Sequence, residues 1–200
     1  MVDSKDDALI RDLLSSGKVP EAVEGAIRLY GPELLGFIAA LVRDHDVAGD
    51  VFSEACEDVW RGLAGFRGAS SLRTWLYTVT RHACSRYFDN GYQRGRRPLS
   101  AADRLDEVQA QVRTQTLTYL RTETRSAVQR LRDGLTPEQQ TLLILRVDRQ
   151  LSWNDIACIV SDGELDEEGI KREAAACRKR FERAMDRLKD LAKQAGLVKE

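Results

Sequence analysis

Between Gly65 and Arg97 the chain carries seven arginines, Arg67, Arg73, Arg81, Arg86, Arg94, Arg96 and Arg97, with six aromatic residues and one acid, Asp89. Guanidinium groups pair with phosphates and stack on bases, and aromatic rings stack on any unpaired base at roughly 1–3 kcal/mol each. A segment that mixes the two suits single-stranded nucleic acid, whose bases are open to stacking or extrusion. A merely solvated face normally mixes charge signs, and here acids are almost missing. Trp75 alone, beside Leu72, Leu76 and Val79, reads as a core residue. A second basic run, Lys171, Arg172, Arg178, Lys179, Arg180, Arg183 and Arg187, follows a turn near the C-terminus. A basic helix in that position can enter a major groove and neutralise phosphates.

Other chemistry is hard to find. The sequence has no phosphate-cradling glycine loop, no GxSxG and no HExxH. Its two histidines, His45 and His82, are too few for most acid–base designs, and nothing nearby completes a metal site around His82 and Cys84. Cys56, Cys84, Cys158 and Cys177 form no CxxC pair and read as small core residues in a reducing compartment. The expectation is a protein that is not an enzyme, with no catalytic residues, cofactor or metal.

Charge is segmented behind a net value of −1. Residues 1–58 hold thirteen acids against five bases, residues 61–97 eight bases against one acid, and residues 171–200 ten bases against five acids. Blocks of opposite sign imply one basic partner and one polyanion touched at two places. No apolar run approaches the roughly 18 residues of a bilayer span, and the N-terminus lacks the layout of a signal peptide. A cytoplasmic protein is expected.

The elements that would position these residues are helical. Val23, Ile27, Tyr30, Leu34, Ile38 and Leu41 follow three-to-four spacing, with Gly31-Pro32 expected to kink or restart the helix. In the next segment Val51, Ala55, Val59 and Leu63 share one side. Asp50, Glu54 and either Glu57 or Asp58 share another. A third helix over about 71–88 buries Leu72, Leu76, Val79 and Ala83, with Arg73, Tyr77, Arg81 and Ser85 on a separate face. Gly91 to Asp106 reads as a flexible linker. Helices resume near Glu107, with caps at Thr136-Pro137-Glu138-Gln139 and Ser152, and a basic helix runs over about 170–193. The fold class is all-α, two small helical domains in which the second has a helix-turn-helix outline.

The string "AGDVFSEACEDVWRGLAGFRGASSLRTWLYTVTRHACSRYF" closely resembles region two of the extracytoplasmic-function sigma factors, and "LTPEQQTLLILRV…LSWNDIA" resembles the start of region four. Asp50, Glu54, Trp60, Phe66-Arg67-Gly68 and Arg73-Thr74-Trp75-Leu76-Tyr77 stand at the matching places. The resemblance implies a region-two domain over 1–92, a linker over 93–106 and a region-four helix-turn-helix domain over 107–200. It implies that Asp50, Glu54 and Asp58 dock the β′ clamp helices of core RNA polymerase. Phe66, Arg67, Ser70, Arg73, Tyr77, Arg81 and Arg86 would hold the single-stranded minus-ten element of promoter DNA. Lys171, Arg178, Lys179, Arg180 and Arg183 would read the duplex minus-thirty-five element. By family analogy a separate anti-sigma factor is a further partner.

One stretch departs from the family pattern. About ten extra residues within "SDGELDEEGIKREAAA" precede "CRKRFERAMDRLK", so either the recognition helix is lengthened at its N-terminal end or the turn is remodelled. The function expected is that of a sigma factor, directing polymerase to promoters and assisting melting. Its rivals are an autonomous helix-turn-helix regulator, which would bind duplex DNA tightly alone, and a helical adaptor, which would show no salt-dependent DNA affinity.

Overall fold

The computed structural model describes residues 5–89, 103–122 and 131–197. Every regular element among the described residues is helical. The chain divides into two compact units, Met1–Thr122 and Glu123–Glu200.

The first unit holds α1 (Lys5–Ser15), α2 (Val19–Val42), α3 (His45–Gly62), α4 (Leu72–Asp89) and α5 (Asp103–Thr122). α2 is its centre, touched by all four others. Contrary to the sequence expectation that no stretch approaches a bilayer span, its length and apolar composition would suffice to cross a membrane. Here that apolar surface is core: eleven of its residues are buried, among them Ile27, Leu34, Phe37 and Ile38. Gly31-Pro32 does not restart the helix, which runs unbroken from Val19 to Val42. Pro32 removes one backbone donor on an exposed side of the helix, and the buried residues on the other side, Ile27, Gly31, Leu34 and Leu35, hold the turns before and after it.

α2 ends at Arg43, whose φ of 62° reverses the chain and whose N–H donates to the Ala39 carbonyl. Asp44 then starts α3 by accepting from the N–H groups of Asp46 (2.9 Å) and Val47 (3.1 Å).

α5 begins at Asp103, and its position differs from the sequence expectation. Residues 107–122 do not open the second unit; they pack back on α2 and α3. Leu105, Val108, Val112 and Leu117 supply a buried stripe at helical spacing, gaining about 1.5–3 kcal/mol each. The approach is close: a Cβ on Gly31 would lie 3.1 Å from Val112 Cγ1, and one on Gly49 2.6 Å from Arg113 Nη2, the movable end of a long side chain. The expected linker over 93–106 therefore gives up residues 103–106 to α5, and the rest of it lies outside the described residues.

In the second unit α6 (Pro137–Leu143) starts with a full capping box between Thr136 and Gln139, then widens into one π-type turn over Ile144–Asp148. α7 (Trp153–Val160) is capped by Ser152, which accepts from the Asp155 N–H at 3.1 Å. α8 (Glu167–Gln194) packs on both α6 and α7. Leu142, Leu145, Ile156, Ile159, Ala174, Cys177 and Ala184 form the core.

α8 resolves the open question about its N-terminal side. Asp166 caps it, accepting from the Gly169 N–H at 2.7 Å, with Glu167 and Glu168 in the first turn, where the helix dipole favours acids. The helix is lengthened: ten residues of it precede Cys177, behind a short connection over Ser161–Asp166.

Candidate nucleic-acid interface

The expected minus-ten residues lie on the connection between α3 and α4 and along α4. A single 3-10 turn, Leu63–Gly65, ends α3, and the chain crosses to α4 through Phe66–Ser71. Gly68 turns that loop at φ 74°, a conformation that disfavours side chains. Arg67 is exposed on it, while Phe66 and Ser70 are half-buried. Phe66 leans on Trp75, ring centroids 5.7 Å apart. Ser71 anchors the loop to the helix: its hydroxyl accepts from the Thr74 N–H at 3.0 Å and lies 2.8 Å from the Thr74 hydroxyl.

Two of the expected strand contacts are engaged inside the fold. Tyr77 is fully buried, packed edge-on against Phe37 of α2 with centroids 5.4 Å apart. Arg73 donates to both carboxylate oxygens of Glu33, at 2.8 and 2.9 Å, and lies 5.8 Å from the Tyr77 ring centre. Of the separate face expected for Arg73, Tyr77, Arg81 and Ser85, Tyr77 is interior and Arg73 is engaged, while Arg81 and Ser85 are partly exposed. α4 packs on α2 as well as α3, so the face turned to α2 is also interior. The accessible remainder is Arg67, Arg86 and the partly exposed Phe66, Ser70 and Arg81.

The acidic face of α3 adjoins this set. Asp50 is exposed, with Arg113 of α5 at 3.9 Å. Glu57 accepts from Arg61 at 2.5 Å, and Asp58 accepts from Arg61 at 3.3 Å and also from Arg86 of α4. Partial burial raises the Glu54 carboxyl above its ordinary value. Arg86 pulls it back, and Asp58, Glu57 and Asp50 push it up again. Arg86, assigned by sequence to DNA, thus sits among the acids assigned to polymerase. Nothing in spacing along one helix could have disclosed that.

In the second unit the exposed stripe of α8 carries Arg172, Arg178, Lys179 and Arg183. No described acid pairs with these four. Two other predicted contacts are committed elsewhere. Arg180 bridges Glu138 of α6, at 2.7 Å, to Glu173 of α8, and Lys171 pairs with Glu167 and Glu168 at 2.9 and 3.1 Å. Arg180 is therefore a clamp that seats α8 on α6. Trp153 completes the seat, packed on Phe181 at 5.4 Å and covered by the Arg146 guanidinium at 4.9 Å. Arg172, part of the basic run but not among the five expected minus-thirty-five residues, is exposed on the same helix. The helical extension makes it continuous with Lys179.

The thiols play no part in this surface. Cys56, Cys84 and Cys177 are buried, Cys158 is half-buried, and all four are free. Burial raises each thiol above its ordinary value. Among the described residues no group of His, Cys, Asp or Glu could hold a metal ion.

Comparison with known proteins agrees with the geometry. Residues 26–93 match the sigma-70 region 2 family. The chain is 31% identical over 139 residues to the RNA polymerase sigma-H factor of Pseudomonas aeruginosa, spanning 66% of this chain and 70% of that protein. It is 29% identical over 142 residues to the RNA polymerase sigma factor YlaC of Bacillus subtilis, spanning 70% and 80%. The sigma factor RpoE of Bartonella quintana, solved with the anti-sigma factor NepR, shares the fold at a TM-score of 0.56 and 19% identity, over 84% of this chain and 94% of that one. The chain belongs to the sigma-70 family of RNA polymerase sigma factors, in its extracytoplasmic-function group.

Proposed function

We propose that this chain is a promoter-specificity subunit of bacterial RNA polymerase, acting in the cytoplasm and supplying recognition while the polymerase supplies the chemistry. The observation that carries the reading is the juxtaposition in the first unit. An acidic face on α3, Asp50 and Glu54 at its outer edge, lies beside a loop and helix that present Arg67, Ser70, Arg81 and Arg86. A basic protein surface and a polyanion can be held side by side by such a pair.

In detail, Asp50, Glu54 and Asp58 dock the β′ clamp helices, and the Phe66–Ser71 loop receives an extruded base of the minus-ten element. Arg67, Arg81 and Arg86 hold the phosphates of the unpaired strand. In the second unit Arg178, Lys179 and Arg183, joined by Arg172, meet the minus-thirty-five duplex. The first unit then spans residues 1–122, and the duplex-reading unit begins beyond it. An anti-sigma factor is a further partner, supported by the likeness to a sigma factor solved with one.

The test is retention of the purified chain on core polymerase, followed by transcription from a library of genomic promoters. Stable binding with initiation at a shared two-block promoter is the expected outcome. Tight duplex binding without any polymerase association would make the protein a free-standing helix-turn-helix regulator.

A further inference from the structure

We propose that Asp58 guards Arg86, occupying it in the free chain and releasing it to DNA when a basic partner takes the α3 acids. The identity of that partner rests on the polymerase-docking reading given above.

Arg86 stands in the last turn of α4, and its guanidinium reaches across to α3 and donates to Asp58. Asp58 also accepts from Arg61, so two cations share one carboxylate. Arg86 acts on Glu54 as well, one turn earlier on the same face. Side-chain exposures of 46% for Arg86 and 27% for Asp58 leave both groups open to exchange with an incoming partner. A basic side chain arriving at Glu54 and Asp58 would be a third cation on this acid pair. Repulsion then favours the arrangement in which Arg86 leaves, and a phosphate of the bound strand is an anion that can receive it. Docking and strand capture thereby strengthen each other, and linkage makes the effect reciprocal. Arg61 is not equivalent to Arg86, because it keeps Glu57 at 2.5 Å when Asp58 is taken.

The experiment uses the full chain without polymerase and a fluorescently labelled single-stranded DNA oligonucleotide, read by anisotropy. Asp58→Asn should tighten binding about two- to fivefold at low salt, the range set by an exposed ion pair. The logarithmic salt slope should steepen by about 0.7, one extra phosphate on a single strand. Glu21→Gln, an equal charge change in the first turn of α2, controls for net charge and should do neither. Asp58→Asn combined with Arg86→Gln should bind as Arg86→Gln alone. The proposal is overturned if Asp58→Asn binds no tighter than Glu21→Gln, or if the double variant keeps the gain. Thermal melting of each variant checks that the fold is intact. Retention of the wild-type chain on core polymerase is measured separately. Its failure would sink the docking reading, whereas retention without an Asp58→Asn gain would sink the handover alone.

Discussion

α4 and α8 are both arginine-rich helices, and they use their arginines in opposite ways. In α4 Arg73 is bound by Glu33 and Arg86 by Asp58, each partner lying on another helix. In α8 the outer stripe of Arg172, Arg178, Lys179 and Arg183 meets no described acid. The reason is the share of each helix that is buried. Both pack on two helices, but α4 buries seven of its 18 residues and α8 only five of its 28. Charge read along a chain therefore measures supply, and the packing decides availability.

Substitutions can break or sharpen that contrast. The largest effect is expected at Tyr77, which the family resemblance places among DNA contacts and the fold places in the core. Tyr77→Ala should cost about 3–5 kcal/mol of stability, read by urea denaturation. A loss near zero would return the residue to the surface. Arg73→Ala leaves Glu33 half-buried without its bidentate partner and should cost about 1–3 kcal/mol by the same measurement. The pair Asp50→Arg with Glu54→Arg should leave the fold intact and weaken retention on core polymerase about tenfold or more, roughly 1.4 kcal/mol. Unchanged copurification would refute the docking face. On α8, Arg178→Ala should move stability by less than about 0.5 kcal/mol while lowering the salt slope of duplex binding by about 0.9.

A smaller, pH-dependent effect separates buried from surface groups. Burial pushes the Cys84 thiol up from 9.0 to about 12 against the pull of Arg81 and Arg86. With its folded value raised, the neutral thiol's contribution is whole below pH 9.0 and is lost as pH climbs toward about 12. The stability gap between the wild-type chain and Cys84→Ala should accordingly be flat from about pH 7 to 8.5 and narrow above that.

Much of this was legible beforehand. The caps at Thr136 and Ser152 are local devices, written in adjacent residues, and both form as read. The acids of "SDGELDEEG" likewise mark a helix start, at Asp166. Three features were not legible, for one physical reason. α5 shows its period in Leu105, Val108 and Val112, but a period names a buried face without naming what buries it. Tyr77 lies on a second buried face, and a stripe of arginines around it resembles an outer one. Arg180 and Arg86 are cations whose partners lie on other helices, Glu138 at 42 positions' remove and Asp58 at 28. Pairings of that range exist only after packing.

The lengthening of α8 has a geometric consequence. Its 28 residues make a rod about 42 Å long. A major groove is about 12 Å wide and curves away around the duplex, so a straight rod can meet it only as a chord. Bases then lie within reach of a few central turns, and the overhanging ends stand clear. On the docking proposed above, a recognition helix can therefore begin with Glu167 and Glu168: its acidic tip would belong to the overhang, and Arg172 to Arg183 would be the window facing the bases.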